Sequence, residues 1–198
     1  AKVPLLAIPF FILAGSIMER AGIADRLITF IKWCVGSTTG GLAISTVIVA
    51  ALWGAISGSG PATVAALGVI LIPGMVQMNY DKAYATSVVS VSSGLAIIIP
   101  PSISYIVYAS ITSVSISGMF AAGIVPGAIV AGSLCVCSYI TSRRKGYKGE
   151  PRKGSFWVVL KDAIWALLTP VIILGGIYGG ICTPTEAAAV AIFYGLFV

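Results

Sequence analysis

Histidine is absent from this chain of 198 residues, and acidic residues are scarce, with six Asp and Glu against twelve Lys and Arg. The lack of histidine excludes triads and metal centres that need an imidazole from these residues. The four cysteines show none of the spacings typical of zinc or cluster sites, and we interpret them as small apolar residues. We therefore expect no metal centre built from His or Cys ligands.

Charge of either sign is rare. Charged residues make up 9% of the chain and hydrophobic residues 58%, and the mean hydropathy is +1.04. A soluble domain carries about 25% charged residues, so this chain lacks the polar surface it would need in water. The composition predicts an all-α polytopic membrane protein, and we interpret the sequence as an internal segment of a longer one.

The net charge of +6 does not indicate a nucleic-acid-binding protein, because six of the twelve basic residues fall within residues 143–153, between two apolar segments. The positive-inside rule predicts that this basic loop is cytoplasmic. The expected partner of the apolar surface is the lipid bilayer, with no nucleic acid.

Hydropathy divides the chain into five parts. They are a transmembrane helix with an amphipathic interfacial helix over 1–35, a hairpin over 36–81, a discontinuous helix with the following span over 82–142, the basic loop over 143–162, and a further span with the start of another helix over 163–198.

The hairpin lies in a long uncharged stretch, since no charged residue lies between Lys32 and Asp81. Its apolar arms, 42–56 and 61–76, each have about 15 residues, or roughly 23 Å of helix. This is short of the roughly 30 Å hydrocarbon core, so we predict a re-entrant hairpin. Charge does not distinguish it from two full spans, because Gly40 and Gln77 share a side either way. Arm length decides.

Two breaks interrupt the apolar pattern, at Ser57–Pro61 and at Pro100–Ser102. Because prolines 100 and 101 have no amide hydrogen, the carbonyls of Ala96 and Ile97 should lose their helical partners. Free carbonyl and hydroxyl oxygens suit a hard cation such as sodium. The candidate sodium-binding residues are Ser57, Gly58, Ser59, Gly60, Ala96, Ile97 and Ser102.

The far side of each break should attract the opposite charge. Gly60 is expected to cap the next helix with Pro61 at its first position, and Ser102 to cap the second half of the broken helix. Helix starts present free amides that bind anions. The candidate substrate-binding residues are Ser59, Gly60, Pro61, Pro101 and Ser102. Paired broken helices of this kind are typical of secondary transporters. A tight turn and a simple proline kink are the structural alternatives.

The segment Thr183-Pro184-Thr185-Glu186 has the pattern of a capping box. We assign Thr183 and Glu186 to capping rather than to ion binding, because this helix should start near the outer interface.

Several motifs together resemble one family, the large membrane subunit of TRAP (tripartite ATP-independent periplasmic) transporters, or DctM-like permeases. The motifs follow the family's order through the whole chain: residues 4–15 (PLLAIPFFILAG), 54–63 (GAISGSGPAT), 99–102 (IPPS), 122–127 (AGIVPG) and 183–188 (TPTEAA).

The resemblance implies an elevator-type secondary transporter of the bacterial or archaeal cytoplasmic (inner) membrane, not an enzyme. It implies uptake of carboxylates such as C4-dicarboxylates or sialic acids, with Na+ as coupling ion and no organic cofactor. The implied partners are an extracytoplasmic solute-binding protein and a small four-helix membrane subunit. It also implies two inverted repeats, each with a re-entrant hairpin and a broken helix, the second beginning near Ala163. By resemblance, the first sodium site falls on the tip Ser57–Gly60 and the break Gly94–Ser102.

Three other functions remain as alternatives. A different inverted-repeat anion/sodium symporter fits the two breaks, but the motifs at Pro100–Ser102 and Thr183–Glu186 count against it. An intramembrane serine hydrolase using Ser57 or Ser59 lacks a base in the adjacent apolar segments. A passive channel would need a continuous polar stripe, whereas the polar groups cluster at two breaks.

Overall fold

The computed structural model describes residues 3–152 and 154–198, and the described part contains helices and no strand. A short 3-10 turn, Val3–Leu6, precedes ten α-helices: α1 (Ala7–Arg20), α2 (Ile23–Val35), α3 (Gly41–Ser57), α4 (Gly60–Gln77), α5 (Lys82–Ser93), α6 (Leu95–Ile98), α7 (Ile103–Thr112), α8 (Ile116–Lys145), α9 (Phe156–Tyr178) and α10 (Pro184–Phe197).

Four helical segments are long and apolar enough to cross a membrane: α4, the composite Lys82–Thr112, α8 and α9. A fifth is possible by length if α1 and α2, which meet at 69°, form one bent span. The prediction of an all-α polytopic membrane protein is confirmed.

Helix α3 lies at the centre. It is apolar on all sides, and side chains such as Trp53 and Ile56 are almost fully buried, as expected of a helix with no polar face. The hydroxyls near its start are satisfied within the helix, since Ser45 and Thr46 donate to the carbonyls of Gly41 and Leu42 at 2.7 and 2.9 Å. Helices α1, α2, α4, α5, α6, α8 and α9 all pack against α3.

Helices α3 and α4 form an antiparallel hairpin. Thr46 near the start of α3 contacts the sulfur of Met75 near the end of α4, at 3.8 Å. Both ends of the hairpin bind one residue, because the Gly40 amide donates to the Tyr147 carbonyl (3.2 Å) and the Asp81 amide to the Tyr147 hydroxyl (3.0 Å). The two ends therefore lie on the same side of the molecule.

The hairpin stops part-way along the discontinuous helix α5–α7. Its tip meets the 99–102 break, and α7 continues beyond that break for ten residues, or about 15 Å. The arms are longer than predicted, with 17 residues in α3 and 18 in α4, and α4 is long enough to cross a membrane. The re-entrant hairpin therefore stays a prediction. The broken helix is also interrupted at Gly94, the residue at which the break implied by the resemblance begins, and hydrogen bonds of the i to i+3 type replace the α-helical pattern there.

The segment that joins α8 to α9 is shorter than the predicted basic loop 143–162. Helix α8 extends to Lys145 and α9 begins at Phe156, because apolar residues at 156–160 already form its first turns. Among the residues between, Glu150 donates its amide to the Gly36 carbonyl at 2.8 Å. This segment is therefore tied to the entrance of the hairpin.

Three tyrosines surround the base of the hairpin. The ring of Tyr147 stacks on Tyr80 with centroids 4.1 Å apart and on Tyr84 at 5.6 Å. Burial raises the pKa of Tyr80 to about 12, so this phenol stays protonated at physiological pH. We name the three residues the tyrosine anchor.

Replacing Tyr147 with phenylalanine should lower the free energy of unfolding by about 1 kcal/mol, because it removes the bond to the Asp81 amide and keeps the stacked ring. SDS-driven unfolding of the full-length protein in mixed micelles measures the change. Tyr139→Phe, at an exposed position on α8, is the matched control. Equal stability of the two variants would contradict the role assigned to the Tyr147 hydroxyl.

Candidate functional site

The structure brings the two breaks into direct contact. The amide of Ile103, the first residue of α7, donates to the carbonyl of Gly58 at the hairpin tip over 3.1 Å. Gly58 has φ +63°, and a Cβ there would lie 3.0 Å from the Pro101 carbonyl oxygen. A glycine is required because the backbone is left-handed and the opposing backbone is close.

A second close approach lies one turn before the tip. A Cβ on Gly54 would lie 2.6 Å from the Cα of Ala96, so the backbones of α3 and α6 touch at a position where only glycine fits. This contact places the end of α3 beside the end of the first part of the broken helix.

The hairpin tip is held by hydroxyl groups. Ser57, which is 3% exposed, has its Oγ 3.1 Å from the Oγ1 of Thr63, and Thr63 donates to the Ser59 carbonyl at 2.9 Å. Sequence reasoning missed Thr63 as a site residue. Its spacing of four residues from Ser59 was the available signal, because i and i+4 side chains share a helix face.

Two predictions about the helix starts are wrong. Ser59, not Gly60, is the N-cap of α4, and its side chain accepts from the Ala62 amide at 3.5 Å. A serine hydroxyl can accept such a bond and glycine has no side chain to do so. Gly60 is the first helical residue and Pro61 the second. A Cβ on Gly60 would lie 3.2 Å from the Ile97 side chain, so Gly60 allows the broken helix to approach.

Ser102 stands at the N-cap position of α7, but its hydroxyl makes no capping bond. It donates instead to the Ile97 carbonyl at 2.7 Å. The prediction that Ile97 has a free carbonyl is therefore corrected: the prolines remove its amide partner, and the buried hydroxyl of Ser102 replaces it. The carbonyl of Ala96 has no i+4 amide to accept, because that residue is Pro100.

All candidate residues of the two breaks lie in one region. Pro61 is exposed on the outer side of the tip, while Pro101 is buried and directs its carbonyl at Gly58. Thr183 and Glu186 lie elsewhere, at the start of α10, and form the predicted capping box: the Thr183 amide donates to the Glu186 carboxylate at 2.7 Å, and the Glu186 amide to the Thr183 hydroxyl at 3.3 Å. Their assignment as a structural cap is confirmed.

Two opposite electrostatic ends therefore meet at the tip. Helices α3 and α6 end there and direct carbonyl oxygens at it, while α4 and α7 begin there and present amides. Buried, broken backbone at such a position is tolerated in a membrane where it is packed in protein or lines a cavity.

The profile of one transporter family, described as "Tripartite ATP-independent periplasmic transporter, DctM component", matches residues 1–198. This chain belongs to the DctM family. It is 50% identical over 196 residues to the C4-dicarboxylate TRAP transporter large permease protein DctM of Pseudomonas aeruginosa, covering 98% of the chain and 46% of that protein.

Two other DctM relatives carry different substrate names. The isethionate TRAP transporter permease protein DctMQ of Oleidesulfovibrio alaskensis is 45% identical, covering 98% of the chain and 31% of that protein, and the sialic acid TRAP transporter large permease protein SiaM of Vibrio cholerae is 38% identical, covering 98% and 46%. The chain thus spans less than half the length of these relatives. All three relatives are named as permeases, and the family is described as a transporter component. The chain therefore belongs to a family of transporter components and not of enzymes, which counts against the serine hydrolase alternative.

Proposed function

We propose that this chain forms part of a sodium-coupled TRAP permease and supplies one sodium site and half of the site for an organic acid anion. The observation that carries the proposal is the contact between the hairpin tip and the broken helix at Gly58 and Ile103. Through it, the carbonyl ends and the amide ends of four helices converge.

The carbonyl ends support a cation site. Sodium is a hard cation, and the oxygen atoms available here are those at the end of α3, the Ala96 carbonyl and the serine hydroxyls. The carbonyls of Gly58 and Ile97 already accept one hydrogen bond each, and a carbonyl oxygen has a second lone pair for a ligand.

The amide ends support an anion site. The first turns of α4 and α7 direct amides toward the tip, and a bound carboxylate would be stabilised by both helix dipoles. Sodium bound at the neighbouring carbonyls would reduce the repulsion between the substrate and the partial negative charge of those helix ends. Binding of the two ligands would then be mutually favourable.

The proposed partners are a small four-helix membrane subunit and an extracytoplasmic solute-binding protein that delivers the substrate. The relative named DctMQ supports a second membrane subunit, and the word "tripartite" in the family description supports a third component. The proposed location is the bacterial or archaeal cytoplasmic membrane, and the proposed substrates are C4-dicarboxylates or sialic-acid-like carboxylates. In an elevator mechanism the hairpin and broken helix would move together past a fixed scaffold.

The direct test of coupling is uptake of a C4-dicarboxylate and of a sialic acid into proteoliposomes that contain both membrane subunits and the binding protein. Uptake should require an inward sodium gradient. The same rate with potassium in place of sodium would overturn the coupling.

Replacing Ser57 and Ser59 together with alanine should raise the sodium concentration for half-maximal uptake by about thirtyfold, because each of the two lost ligand oxygens costs on the order of 1 kcal/mol. Ser133→Ala is the matched control, since this exposed serine bonds only within α8. A drop in expression with unchanged sodium dependence would favour the tight-turn interpretation of the tip.

A further inference from the structure

A cavity of about 140 Å³ lies between α1 and the hairpin tip, and an acidic side chain lines it. From α1 it is lined by Gly15, Ser16 and Glu19, and from the hairpin by Trp53, Ser57 and Ser59. Hydropathy places Glu19 at the end of the first apolar segment, but the structure places it beside the tip. Gly15 fixes this position, because a Cβ there would lie 3.3 Å from the Cβ of Ser57.

The depth of Glu19 follows from the same contact. It is one helical turn, or about 6 Å of rise, from the level at which Gly15 meets Ser57. Gly15, Ser16 and Glu19 share one face of α1, since they are spaced by three and four residues. The Glu19 side chain is exposed, and it lies about one helical turn from the level of the tip, far from the hairpin base.

The charges around Glu19 favour a cation. Trp53 and Ser57 belong to the last turns of α3, whose carbonyls carry partial negative charge. Within the part of the chain that the structure describes, Glu19 has no ion pair or side-chain hydrogen bond. Arg20, the next residue, projects about 100° away around the helix. The start of α4 also contributes to the lining, through Ser59 and Ala62, so a positive helix end offsets the negative end of α3. Among the described residues of the lining, Glu19 is the one with a formal charge, and its charge favours a cation.

We propose that Glu19 and the hydroxyls of Ser16 and Ser59 form a second cation position, through which sodium reaches the hairpin tip. The ligands would be oxygen atoms of one carboxylate and two hydroxyls, the set that a hard monovalent cation prefers. Ser16 donates its proton to the Ile12 carbonyl at 3.0 Å, which leaves the lone pairs of its oxygen available to a ligand. This position rests on the proposed function and extends it, because it adds a residue outside both breaks.

The Trp53 indole lines the cavity, so its fluorescence can report on cation binding there. The experiment follows tryptophan fluorescence of the full-length permease with its membrane partner during sodium titration at constant ionic strength. Trp53→Phe identifies the part of the signal that arises in the cavity. Glu19→Gln should raise the half-saturating sodium concentration by about tenfold, the effect of losing about 1.4 kcal/mol.

Asp25→Asn is the matched control, because it removes the same charge from an exposed position on α2 and should leave sodium binding unchanged. A Glu19→Gln protein that binds sodium like Asp25→Asn would overturn the proposal. If Glu19→Gln does not fold, Glu19→Asp replaces it: retracting the carboxylate by one methylene should raise the half-saturating concentration more than about twofold, and an unchanged value would overturn the proposal.

Uptake measured on the same preparations distinguishes the second cation position from sodium coupling itself. Sodium-dependent uptake with unchanged binding in Glu19→Gln would overturn the second position alone. Sodium-independent uptake by the unaltered transporter would overturn the coupling itself, whatever the fluorescence shows.

Discussion

Gly54→Ala is expected to reduce sodium-dependent uptake roughly ten- to a hundredfold. The added methyl would lie 2.6 Å from the Cα of Ala96 and 2.8 Å from its Cβ, so α6 must move away from α3. Overpacking of this kind costs about 1–3 kcal/mol, and here the cost falls on the arrangement that joins the two breaks. The initial rate of uptake in proteoliposomes measures the loss.

The matched control is Gly132→Ala on α8. A Cβ at Gly132 would meet nothing within 4 Å, so uptake should remain at the unaltered rate. Thermal unfolding of both variants shows whether the subunit still folds. Full uptake by Gly54→Ala would mean that the contact between α3 and α6 is not needed for transport.

Ile103→Pro is expected to raise the sodium concentration for half-maximal uptake by about tenfold. Proline removes the amide that binds the Gly58 carbonyl and leaves this buried acceptor unsatisfied, at a cost of about 1–3 kcal/mol. Position 103 is the first residue of α7, where proline is tolerated. Ser102 already has φ −126° and ψ 131°, the extended conformation that a residue before proline prefers.

The control Ile103→Ala removes the side chain and keeps the amide. It should preserve the sodium dependence that Ile103→Pro loses. Hydrogen exchange at the tip supplies an independent measurement, because a tip without its bond to α7 should exchange faster. If both variants shifted sodium dependence equally, the side chain of Ile103 would be responsible and the inter-break bond would not.

Much of this site was predictable because its signals are local. Glycine, proline and serine in an apolar run mark a break wherever the chain folds, so the tip and the Pro100–Ser102 break were found from the sequence. The capping box at Thr183 has the same origin, since its partners are three residues apart.

The predictions that failed were of two kinds. In some, two neighbouring residues could each play the same role, and in others the interaction partner came from another part of the fold. Both Ser59 and Gly60 can cap a helix, and the sequence does not say which residue is extended. The hydroxyl of Ser102 can serve the helix that follows it or the carbonyl that precedes it, and only the turn at 99–102 brings it to Ile97. The position of Glu19 depends on how the hairpin packs beside α1. Hydropathy shows where Glu19 falls along the sequence, but not which residues of other helices lie next to it.

The tyrosine anchor and the bond from Ile103 to Gly58 also set the order of assembly during synthesis. Helices α1 and α2 precede the hairpin, but Ile103 and Tyr147, which bond to its tip and its base, leave the ribosome after it. Until then the Gly58 carbonyl lacks the amide that it accepts from in the folded protein, and lipid supplies no donor. We therefore expect the hairpin to be fixed at both ends only after α8 has been synthesised, because Tyr147 follows that helix.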